Sequence, residues 1–451
     1  MKAYKAGKNY FKASYIPIIS VFLTIIFFCE CNTTEPPVNG NGITLKLEDV
    51  SCTEAWITLK TTTLQLPATV TLKQDNQTRS TINLIKADTL LYIDSLLPNT
   101  TYKFQVSSIQ NQVSSNEVTT TTMDTTSHNI TWQIFTFGEH QHSRLNDVAI
   151  IDANNIWVAG EIYLLDSAGQ ADSQPYGVAL WNGQRWELKK LFYNTSIPVI
   201  PRGILVISPN EIYLASGSIF YWDGISSTTQ LVYSRLNLSN PNGTIEKLWA
   251  SSGSVVYGVG KVGSMVYYNE HSWQQIESGT DVNLYDVWGS NDGTIWTCGY
   301  SNDYGTTALL RYSGSNWKTV YQGSSNNQNN GYYIGPISGI WGTGNIRIYM
   351  MNWSGLYIQA NSNKLFLGKE IAKFSDVGNG IDGTDDNNIF VCGEGFVGHW
   401  NGVSYTEYPV LYRDQRTFYS VSVKGKTVCA VGSDYNRFIY SQAVIALGEL
   451  N

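Results

Sequence analysis

One sixteen-residue pattern recurs seven times along the carboxy-terminal part of this 451-residue sequence. Its clearest copy, Leu284–Gly299, reads LYDVWGSNDGTIWTCG. In every copy the fourth and twelfth positions are aliphatic, and positions seven to eleven hold small or turn-forming residues. Each copy therefore predicts a strand, a tight turn and a second strand. The other copies are Leu145–Gly160, Pro201–Ser216, Ile245–Gly260, Ile337–Asn352, Gly378–Gly393 and the slightly shorter Phe418–Gly432.

Two further apolar runs follow most copies of the pattern. After the clearest copy these are Ala308–Tyr312 and Trp317–Val320, with a polar turn between them. Four antiparallel strands in about 45 residues are typical of one blade of a β-propeller. Neighbouring blades cover both faces of each sheet, which explains an aromatic content of 13%. The sequence therefore predicts an all-β fold whose larger part, residues 130–451, is a seven-bladed β-propeller.

The last copy of the pattern is followed by only one more strand, at about 437–447, before the chain ends. The segment Ile130–Phe137 (ITWQIFTF) precedes the first copy and has the composition of an outermost strand. We expect it to complete the seventh blade and close the ring, because an open sheet edge would otherwise be exposed. The DVWG…IW…G pattern resembles a propeller family of bacterial secreted proteins. The resemblance implies a fold and no activity.

Residues 42–122 show short alternating runs separated by turn residues, which suggests an immunoglobulin-like sandwich. Within them, Leu96–Tyr102 (LLPNTTY) resembles the tyrosine corner of fibronectin type III domains. That resemblance implies a small spacer domain, in which Trp56 is expected to fill the core. Residues 123–129 are predicted to be a linker. The predicted strands are Ile43–Leu47, Ala55–Leu59, Thr69–Leu72, Thr81–Ile85, Leu90–Ile93, Tyr102–Val106 and Glu117–Thr122.

The amino terminus combines several lysines with the apolar run Tyr15–Phe28 and two cysteines. It resembles a bacterial lipoprotein signal, with residues 1–30 removed, Cys31 lipidated and residues 31–41 forming a tether. Cys31 is favoured over Cys29 because the stretch CNTTEPP resembles the tethers of such lipoproteins. An ordinary cleaved signal peptide or an uncleaved anchor are the alternatives. The predicted location is a bacterial cell envelope, lipid-anchored at the outer membrane or cell surface, or else secreted.

Loop lengths differ between the two ends of the predicted blades. Turns joining strands one to two and three to four are short; we call that end the short-turn face. Links between strands two and three, and between blades, are long and variable, and form the long-loop face. Function on repeat scaffolds sits where loops vary around a rigid frame. The candidate ligand-binding residues there are Tyr163, Tyr176, Tyr193, Tyr300, Tyr304, Tyr332, Tyr333, Tyr412 and Tyr435.

Chemical motifs are weak or absent in this sequence. The net charge of −7 argues against nucleic-acid binding through a basic patch. Gly258–Gly263 matches G-x-G-x-x-G, but a strand rather than a helix follows it, so it predicts a turn rather than a dinucleotide site. We predict no cofactor, no metal site and no catalytic residue. The only weak catalytic candidates are Glu139, His140 and His142.

The predicted function is non-catalytic binding of a glycan or a surface protein through the long-loop face, by a membrane-anchored monomer. The first alternative is a secreted carbohydrate-active enzyme, a glycoside hydrolase or lyase, with paired carboxylates in the central opening. No motif supports a glycosyltransferase. The second alternative is a structural component of envelope assembly.

Overall fold

The computed structural model describes residues 42–108, 111–252, 255–290, 292–314, 316–325, 334–344, 347–359, 369–435 and 440–451. The predicted signal peptide and tether, with Cys29 and Cys31, lie outside these residues, as do Tyr332 and Tyr333. Every long element in the described ranges is a β-strand, and two short 3-10 helices span Arg235–Asn237 and Pro409–Leu411. The described residues contain no helix with the length and hydropathy needed to cross a bilayer.

The first strands of the described residues form two sheets around one shared core. One sheet has the order β1-β2-β5, and the other the order β4-β3-β6-β7, with β8 also paired to β6. Residues from both sheets, such as Ile57, Leu59 and Phe104, are fully buried in that core. The strands are β1 Ile43–Val50, β2 Ala55–Thr61, β3 Ala68–Gln74, β4 Gln77–Leu84, β5 Asp88–Ile93, β6 Thr101–Ser108, β7 Val113–Ser114 and β8 Val118–Thr121.

Two aromatic residues of this unit, Tyr102 and Trp56, have different places in the structure. The hydroxyl of Tyr102 accepts a hydrogen bond of 2.9 Å from the backbone N–H of Leu97, the contact expected of a tyrosine corner. Trp56 is fully buried but does not belong to the shared core. Successive side chains of a strand alternate between faces, so Trp56 lies on the face opposite Ile57. The expectation that Trp56 fills the core of the sandwich is therefore wrong.

Seven sheets follow, each beginning with a copy of the sixteen-residue pattern. In each, the first strand is innermost: these seven strands contact one another in order, and the last of them packs on the first to close a ring. The first four sheets contain β10 Arg144–Asp152, β11 Asn155–Ile162, β12 Tyr176–Trp181 and β13 Trp186–Lys189; β16 Gly203–Ser208, β17 Glu211–Ser216, β18 Ser218–Trp222 and β19 Thr228–Tyr233; β20 Thr244–Ser252, β21 Val255–Lys261, β22 Met265–Asn269 and β23 Trp273–Ile276; and β24 Asn283–Gly289, β25 Thr294–Tyr300, β26 Thr306–Ser313 and β27 Trp317–Ser324.

The remaining sheets repeat this order with one exception, the outermost strand of the seventh sheet. That strand is β9 Ile130–Phe137, which pairs antiparallel with β38 over eight residues, from Ile130 opposite Leu450 to Phe137 opposite Ala443. The ring is thus closed by a segment from before the first sheet. The strands are β28 Ile337–Gly342, β29 Ile348–Asn352, β30 Gly355–Gln359 and β31 Lys369–Lys373; β32 Gly378–Asp385, β33 Asn388–Gly393, β34 Val397–Trp400 and β35 Tyr405–Glu407; and β36 Arg416–Lys424, β37 Thr427–Tyr435 and β38 Ser441–Leu450.

The link between the first and second sheets is not a plain loop of the long-loop face. It forms a hairpin of β14 Phe192–Tyr193 and β15 Ile197–Pro198, and β14 pairs parallel with β19, the outermost strand of the second sheet. The second sheet therefore has six strands. Tyr193 lies at this outer edge and packs on Phe220 with 5.7 Å between ring centroids.

The two-sheet unit at the amino terminus docks on the short-turn face of the ring. Arg347, between β28 and β29, forms ion pairs with Asp386, between β32 and β33, and with Asp49 of β1 at 2.9 Å. Its guanidinium also lies 4.5 Å from the ring centroid of Trp56. This contact with the propeller explains why the side chain of Trp56 is buried. The long-loop face is at the opposite end of the blades.

A histidine pair lies where the linker joins the propeller. His399 of β34 is fully buried, stacks on Phe390 at 4.4 Å, and its Nδ1 lies 3.0 Å from Nδ1 of His128. Its Nε2 lies 3.1 Å from the amide oxygen of Asn388. Burial, and secondarily the nearby His128, lower the pKa of His399 to about 3.

This buried histidine predicts a loss of stability in acid. In the unfolded chain this histidine gains a proton near pH 6.5, whereas in the folded chain it stays neutral. Protonation therefore favours the unfolded chain, and the free energy of unfolding falls as the pH drops below that value. Between pH 7 and pH 5 the loss is about 2 kcal/mol. Urea unfolding at both pH values checks this against His399→Gln, which carries no titrating ring. If wild type and variant lose equal stability over this interval, the assignment of a neutral buried His399 is wrong.

Candidate functional site

The central opening of the ring contains a cavity of about 320 Å³ on the long-loop face. The first strand of each sheet begins at that face, so the cavity is lined by residues at or next to the start of the sixteen-residue pattern. The lining residues used below are Arg144, Asn146, Asp147, Arg202, Glu246, Lys247, Tyr285, Asp286, Ser338, Asn379, Gly380, Tyr419 and Ser420.

The third position of the pattern joins neighbouring sheets. Asp147 accepts a 3.0 Å hydrogen bond from the backbone N–H of Ile204 in the next sheet, and Asp286 accepts one of 2.9 Å from Ile340. Another sheet has Gly203 at this position, where a Cβ would lie 2.5 Å from the carbonyl oxygen of Glu246. Across the seven copies the third position holds a carboxylate that bridges two sheets in two, a glycine or serine in four (Gly203, Gly339, Gly380 and Ser420), and Lys247 in one.

Lys247 carries a charge inside the cavity. Its Nζ donates to Oδ1 of Asp147 at 2.7 Å, and that oxygen also accepts from the hydroxyl of Ser420. Burial alone lowers the pKa of Lys247, but Asp147 and then Asp286 outweigh burial and raise it above its ordinary value. The ammonium is therefore charged throughout the physiological range.

Asp286 has the most perturbed carboxyl of the cavity lining. Burial raises its pKa to about 6, against the lowering effects of Lys247 and of hydrogen bonds from the backbone N–H groups of Ile340 and Val287. Perturbed carboxyls of this kind concentrate at functional sites, although structural networks also produce them. The two backbone bonds give Asp286 a structural role in addition to its place in the cavity.

The rim of the cavity is charged but balanced. Arg202 pairs with Glu246 at 2.9 Å, and Arg144 pairs with Glu161 at 3.1 Å. Both arginine side chains are 46% exposed. Since each rim cation has an anionic partner, the opening carries no strong excess of either sign.

Aromatic side chains extend outward from the cavity on the long-loop face. Tyr285 lines the cavity and stacks on Tyr300 with 4.3 Å between ring centroids. Tyr304 and Trp353 continue this cluster, with their centroids 4.6 Å apart. We call these four residues the aromatic cluster; it spans the fourth and fifth sheets.

Several of the tyrosines predicted from the sequence lie on this face and are exposed. Tyr304, Tyr412 and Tyr435 are 51%, 66% and 51% exposed, while Tyr300 is half-buried within the aromatic cluster. Burial of its hydroxyl raises the pKa of Tyr300. These residues remain our predicted contact residues.

Other predicted tyrosines are committed to contacts within the fold. Tyr163 is half-buried and donates to Glu161 at 3.1 Å, and burial followed by this carboxylate raises the pKa of Tyr163. Tyr176 is half-buried against the hydrophobic core of the first sheet, and Tyr193 lies at the outer edge of the second. The structure does not bring these three to the cavity lining.

The weak catalytic candidates hold loops together. Nε2 of His140 donates to the carbonyl of Leu164 at 2.9 Å, and Glu139 accepts from the backbone N–H of Leu165 at 2.6 Å. Nδ1 of His142 accepts from the backbone N–H of Ser441 at 3.0 Å. Within the described ranges, no group of three or more histidine, cysteine, aspartate or glutamate side chains is arranged to hold a metal.

Sequence reasoning missed the second position of the pattern, which supplies the cavity with Asn146, Arg202, Glu246, Tyr285, Ser338, Asn379 and Tyr419. Its signal was present in the alignment of the copies. The fourth and twelfth positions keep one residue class, whereas the second changes in charge, size and polarity from copy to copy. On repeat scaffolds, binding sites form where residues vary around a rigid frame. The second position fits that description, because it varies at one end of each innermost strand.

Comparison with known proteins shows the fold and no family. No family model matches the sequence, and no curated protein matches it. Among solved structures, the protein described as YCF48 bound to D1 peptide is 13% identical, covers 72% of this chain and 97% of its own, and has a TM-score of 0.52. The WD40 propeller domain of Doa1 is 12% identical, covers 72% of this chain and 98% of its own, and has a TM-score of 0.50. At these identities the likeness establishes that the chain contains a β-propeller.

Proposed function

We propose that this chain is a non-catalytic binding protein of a bacterial cell envelope. A lipid on Cys31 anchors it, a fibronectin type III-like sandwich acts as a spacer, and the long-loop face of the propeller binds a glycan or a partner protein. The proposal is supported by the distribution of exposed side chains, the position of the sandwich and the nature of the cavity.

The observation that carries the proposal is the concentration of exposed apolar and aromatic side chains on one face. Such concentrations mark interaction surfaces on otherwise polar proteins. On the opposite, short-turn face of the described propeller, Ile225 and Val403 are the exposed large apolar residues. On the long-loop face they are Leu165, Leu236, Tyr285, Tyr304, Val410, Tyr412, Tyr419 and Tyr435.

The position of the sandwich favours the same face. Arg347, Asp49 and Trp56 hold the sandwich against the short-turn face, which leaves the long-loop face accessible. An anchor attached to the amino terminus of the sandwich would then turn the binding face away from the membrane. The YCF48 structure, similar in fold alone, holds a peptide. This is consistent with a peptide or protein partner as one of our two ligand classes.

The anchor gives a direct prediction. Cys31→Ser removes the thiol that would carry the lipid, so the protein should move from the membrane fraction to the soluble fraction. We expect essentially complete loss from the detergent phase in a detergent-partition experiment, because stable anchoring depends on the acyl chains. Cys29→Ser is the matched control and should remain in the detergent phase. The reverse pattern would place the lipid on Cys29.

The binding face is tested with a glycan array and a pulldown from envelope extract. Trp353→Ala and Tyr412→Ala each remove aromatic surface on the long-loop face, and each should weaken binding about tenfold, because buried aromatic anchors dominate interface energies. Ile225→Ala removes an exposed apolar side chain from the short-turn face and serves as the control. Binding that is lost with Ile225→Ala but kept with the other two variants would contradict the chosen face.

One observation favours the enzymatic alternative. Asp286, with a pKa of about 6 in an open cavity beside Asp147, has properties of a general acid. Both carboxylates are, however, engaged by backbone N–H groups of the following sheet. Release of reducing sugar from oligosaccharides by the wild type, abolished in Asp286→Asn, would establish this alternative in place of the binding role.

A further inference from the structure

We infer that the cavity at the central opening binds the terminal, uncharged sugar unit of a glycan. This inference rests on the proposed function and narrows its ligand class. Three properties of the cavity lining support it. Polar side chains fixed by the neighbouring sheets keep unused hydrogen-bonding groups, the positive and negative charges balance, and two tyrosines lie on nearly opposite sides of the opening.

Polar side chains of the lining are held by hydrogen bonds to the neighbouring sheet. The amide nitrogens of Asn146 and Asn379 donate to the carbonyls of Pro201 and Phe418 at 3.0 and 3.1 Å. The hydroxyl of Ser338 donates to the carbonyl of Gly378 at 2.9 Å. Each bond fixes the side chain through a donor, and the amide oxygens and the hydroxyl oxygen keep acceptor capacity. Acceptors fixed in this way lose little entropy when a ligand hydroxyl binds.

The centre of the cavity places a donor close to acceptors. The ammonium of Lys247 has three N–H groups, and one of them bonds to Asp147. The lysine side chain is 29% exposed. Each oxygen of Asp286 accepts one backbone hydrogen bond, so each retains a lone pair. A sugar hydroxyl both donates and accepts, and a pair of adjacent hydroxyls is therefore suited to a lysine–carboxylate site of this kind.

The charge of the lining selects against an ionised ligand. Three cationic side chains, Arg144, Arg202 and Lys247, face three carboxylates, Asp147, Glu246 and Asp286. A ligand with a net charge would be attracted by one of these sets of side chains and repelled by the other. An uncharged polyhydroxylated ligand can use both sets without displacing the ion pairs, whose partners would otherwise be left unpaired.

Two aromatic walls complete the site. Tyr285 and Tyr419 lie near the start of the innermost strands of the fourth and seventh sheets. These sheets are three apart in a ring of seven, so the two tyrosines lie on nearly opposite sides of the opening. They are 36% and 37% exposed. Tyr285 is held by stacking on Tyr300, and the hydroxyl of Tyr419 lies 3.0 Å from that of Ser433. Rigid rings offer flat apolar faces against which the C–H groups of a sugar can pack.

The size of the cavity fits the end of a chain better than its middle. Its volume of about 320 Å³ lies at the lower limit of small-molecule sites. It is closed at its sides by the innermost strands of the ring. A glycan would therefore enter end-on, with its terminal unit in the cavity and its following units over the aromatic cluster.

Saturation-transfer NMR and calorimetry with neutral disaccharides test the inference on the purified protein. The probes are cellobiose, maltose, lactose, mannobiose and diacetylchitobiose at millimolar concentration, with digalacturonic acid as the charged comparison. We expect at least one neutral disaccharide to bind. Tyr285→Ala should weaken its affinity about tenfold or more. Asn379→Trp, which fills the cavity without removing an aromatic wall, should abolish binding. Ile225→Ala changes an exposed side chain of the short-turn face and should leave the affinity within about twofold.

The inference is overturned if no neutral disaccharide binds, if only the charged sugar binds, or if Tyr285→Ala and Asn379→Trp bind as the wild type does. Thermal melting of each variant separates loss of the site from loss of the fold. If no disaccharide binds while a protein captured by pulldown still depends on Trp353 and Tyr412, the proposed function stands with a protein partner and the sugar site is wrong. If neither ligand class depends on the long-loop face, both fail.

Discussion

Phe135→Asp is expected to destabilise the propeller by about 3 kcal/mol or more, because it places a carboxylate against the packed rings of the first sheet. Phe135 lies on β9 opposite Ile445, with its ring centroid 5.5 Å from that of Trp181 and 6.1 Å from that of Trp186. The strand also packs in the other direction, since Trp132 contacts the core between the sixth and seventh sheets. Losing β9 would therefore loosen two contacts between sheets at once.

Thr136→Asp is the matched control for this prediction. It introduces the same charge one residue further along β9, at an exposed position on the opposite face of the strand. We expect a change within about 0.5 kcal/mol for this surface site. Thermal and urea unfolding of both variants, with size-exclusion chromatography to detect opened rings that associate through a free edge, provide the comparison. Equal stabilities would mean that β9 does not close the ring.

Arg347→Ala is the second variant with a large expected effect, about 3–5 kcal/mol, because it leaves a buried carboxylate without its charge partner. The Arg347 and Asp386 side chains are 2% and 1% exposed and form an ion pair. Asp386 also accepts a 2.7 Å hydrogen bond from the hydroxyl of Tyr349. Burial already raises the pKa of Asp386 to about 6 despite Arg347, and removal of the arginine would raise it further.

The pH dependence of Arg347→Ala has a definite sign. A carboxyl whose pKa is raised by folding costs stability that grows as the pH rises from its unfolded pKa to its folded pKa, and it costs nothing once it is protonated in both states. The deficit of the variant should therefore be largest near pH 8 and shrink toward pH 5. Arg185→Ala, which removes an exposed arginine beside Glu187, should be close to neutral. Arg347→Met combined with Asp386→Leu should recover much of the loss, since an apolar pair needs no charge compensation. A deficit that does not vary with pH and is not rescued would contradict the proposed ion pair.

The same variant addresses the junction between the amino-terminal two-sheet unit and the propeller. Arg347 also contacts Asp49 and Trp56 of that unit, so Arg347→Ala should weaken the attachment of the unit to the ring. We expect faster limited proteolysis in residues 122–129 of Arg347→Ala than of the wild type. This contact is what turns the long-loop face outward in the proposed function.

The strands of the ring were predictable where the sequence repeats. The copy Leu284–Gly299 corresponds closely to β24 and β25, because alternating apolar residues and a tight turn are local signals. Ile130–Phe137 was predicted from a different argument, the need to cover an edge, and it pairs with β38 as that argument requires. The last strand itself begins and ends a few residues later than predicted.

The features that sequence reasoning missed all depend on partners distant in the chain. The hairpin of β14 and β15 has strands of two residues, too short for a periodic signal, and it is ordered by pairing with β19. Trp56 looked like a core residue because it is large and lies in a strand, but its partner Arg347 belongs to another unit. Similarly, the cavity became evident only when the second positions of seven separate copies were brought to one opening.

The most direct test of the ring, and hence of the assignment of its two faces, is a disulfide between β9 and β38. Thr131 and Glu449 are paired in the register, so their Cα atoms should lie about 5 Å apart, within the range that a disulfide spans. The cysteines native to the described residues are all buried and unpaired, which limits competing reactions. Thr131→Cys with Glu449→Cys should crosslink within the molecule under mild oxidation, detected by mass spectrometry of the linked peptides. Thr131→Cys with Gln442→Cys, which lies about 23 Å away along the same strand, should not. Failure of the first pair to crosslink, or equal crosslinking of both pairs, would contradict the closed seven-sheet ring.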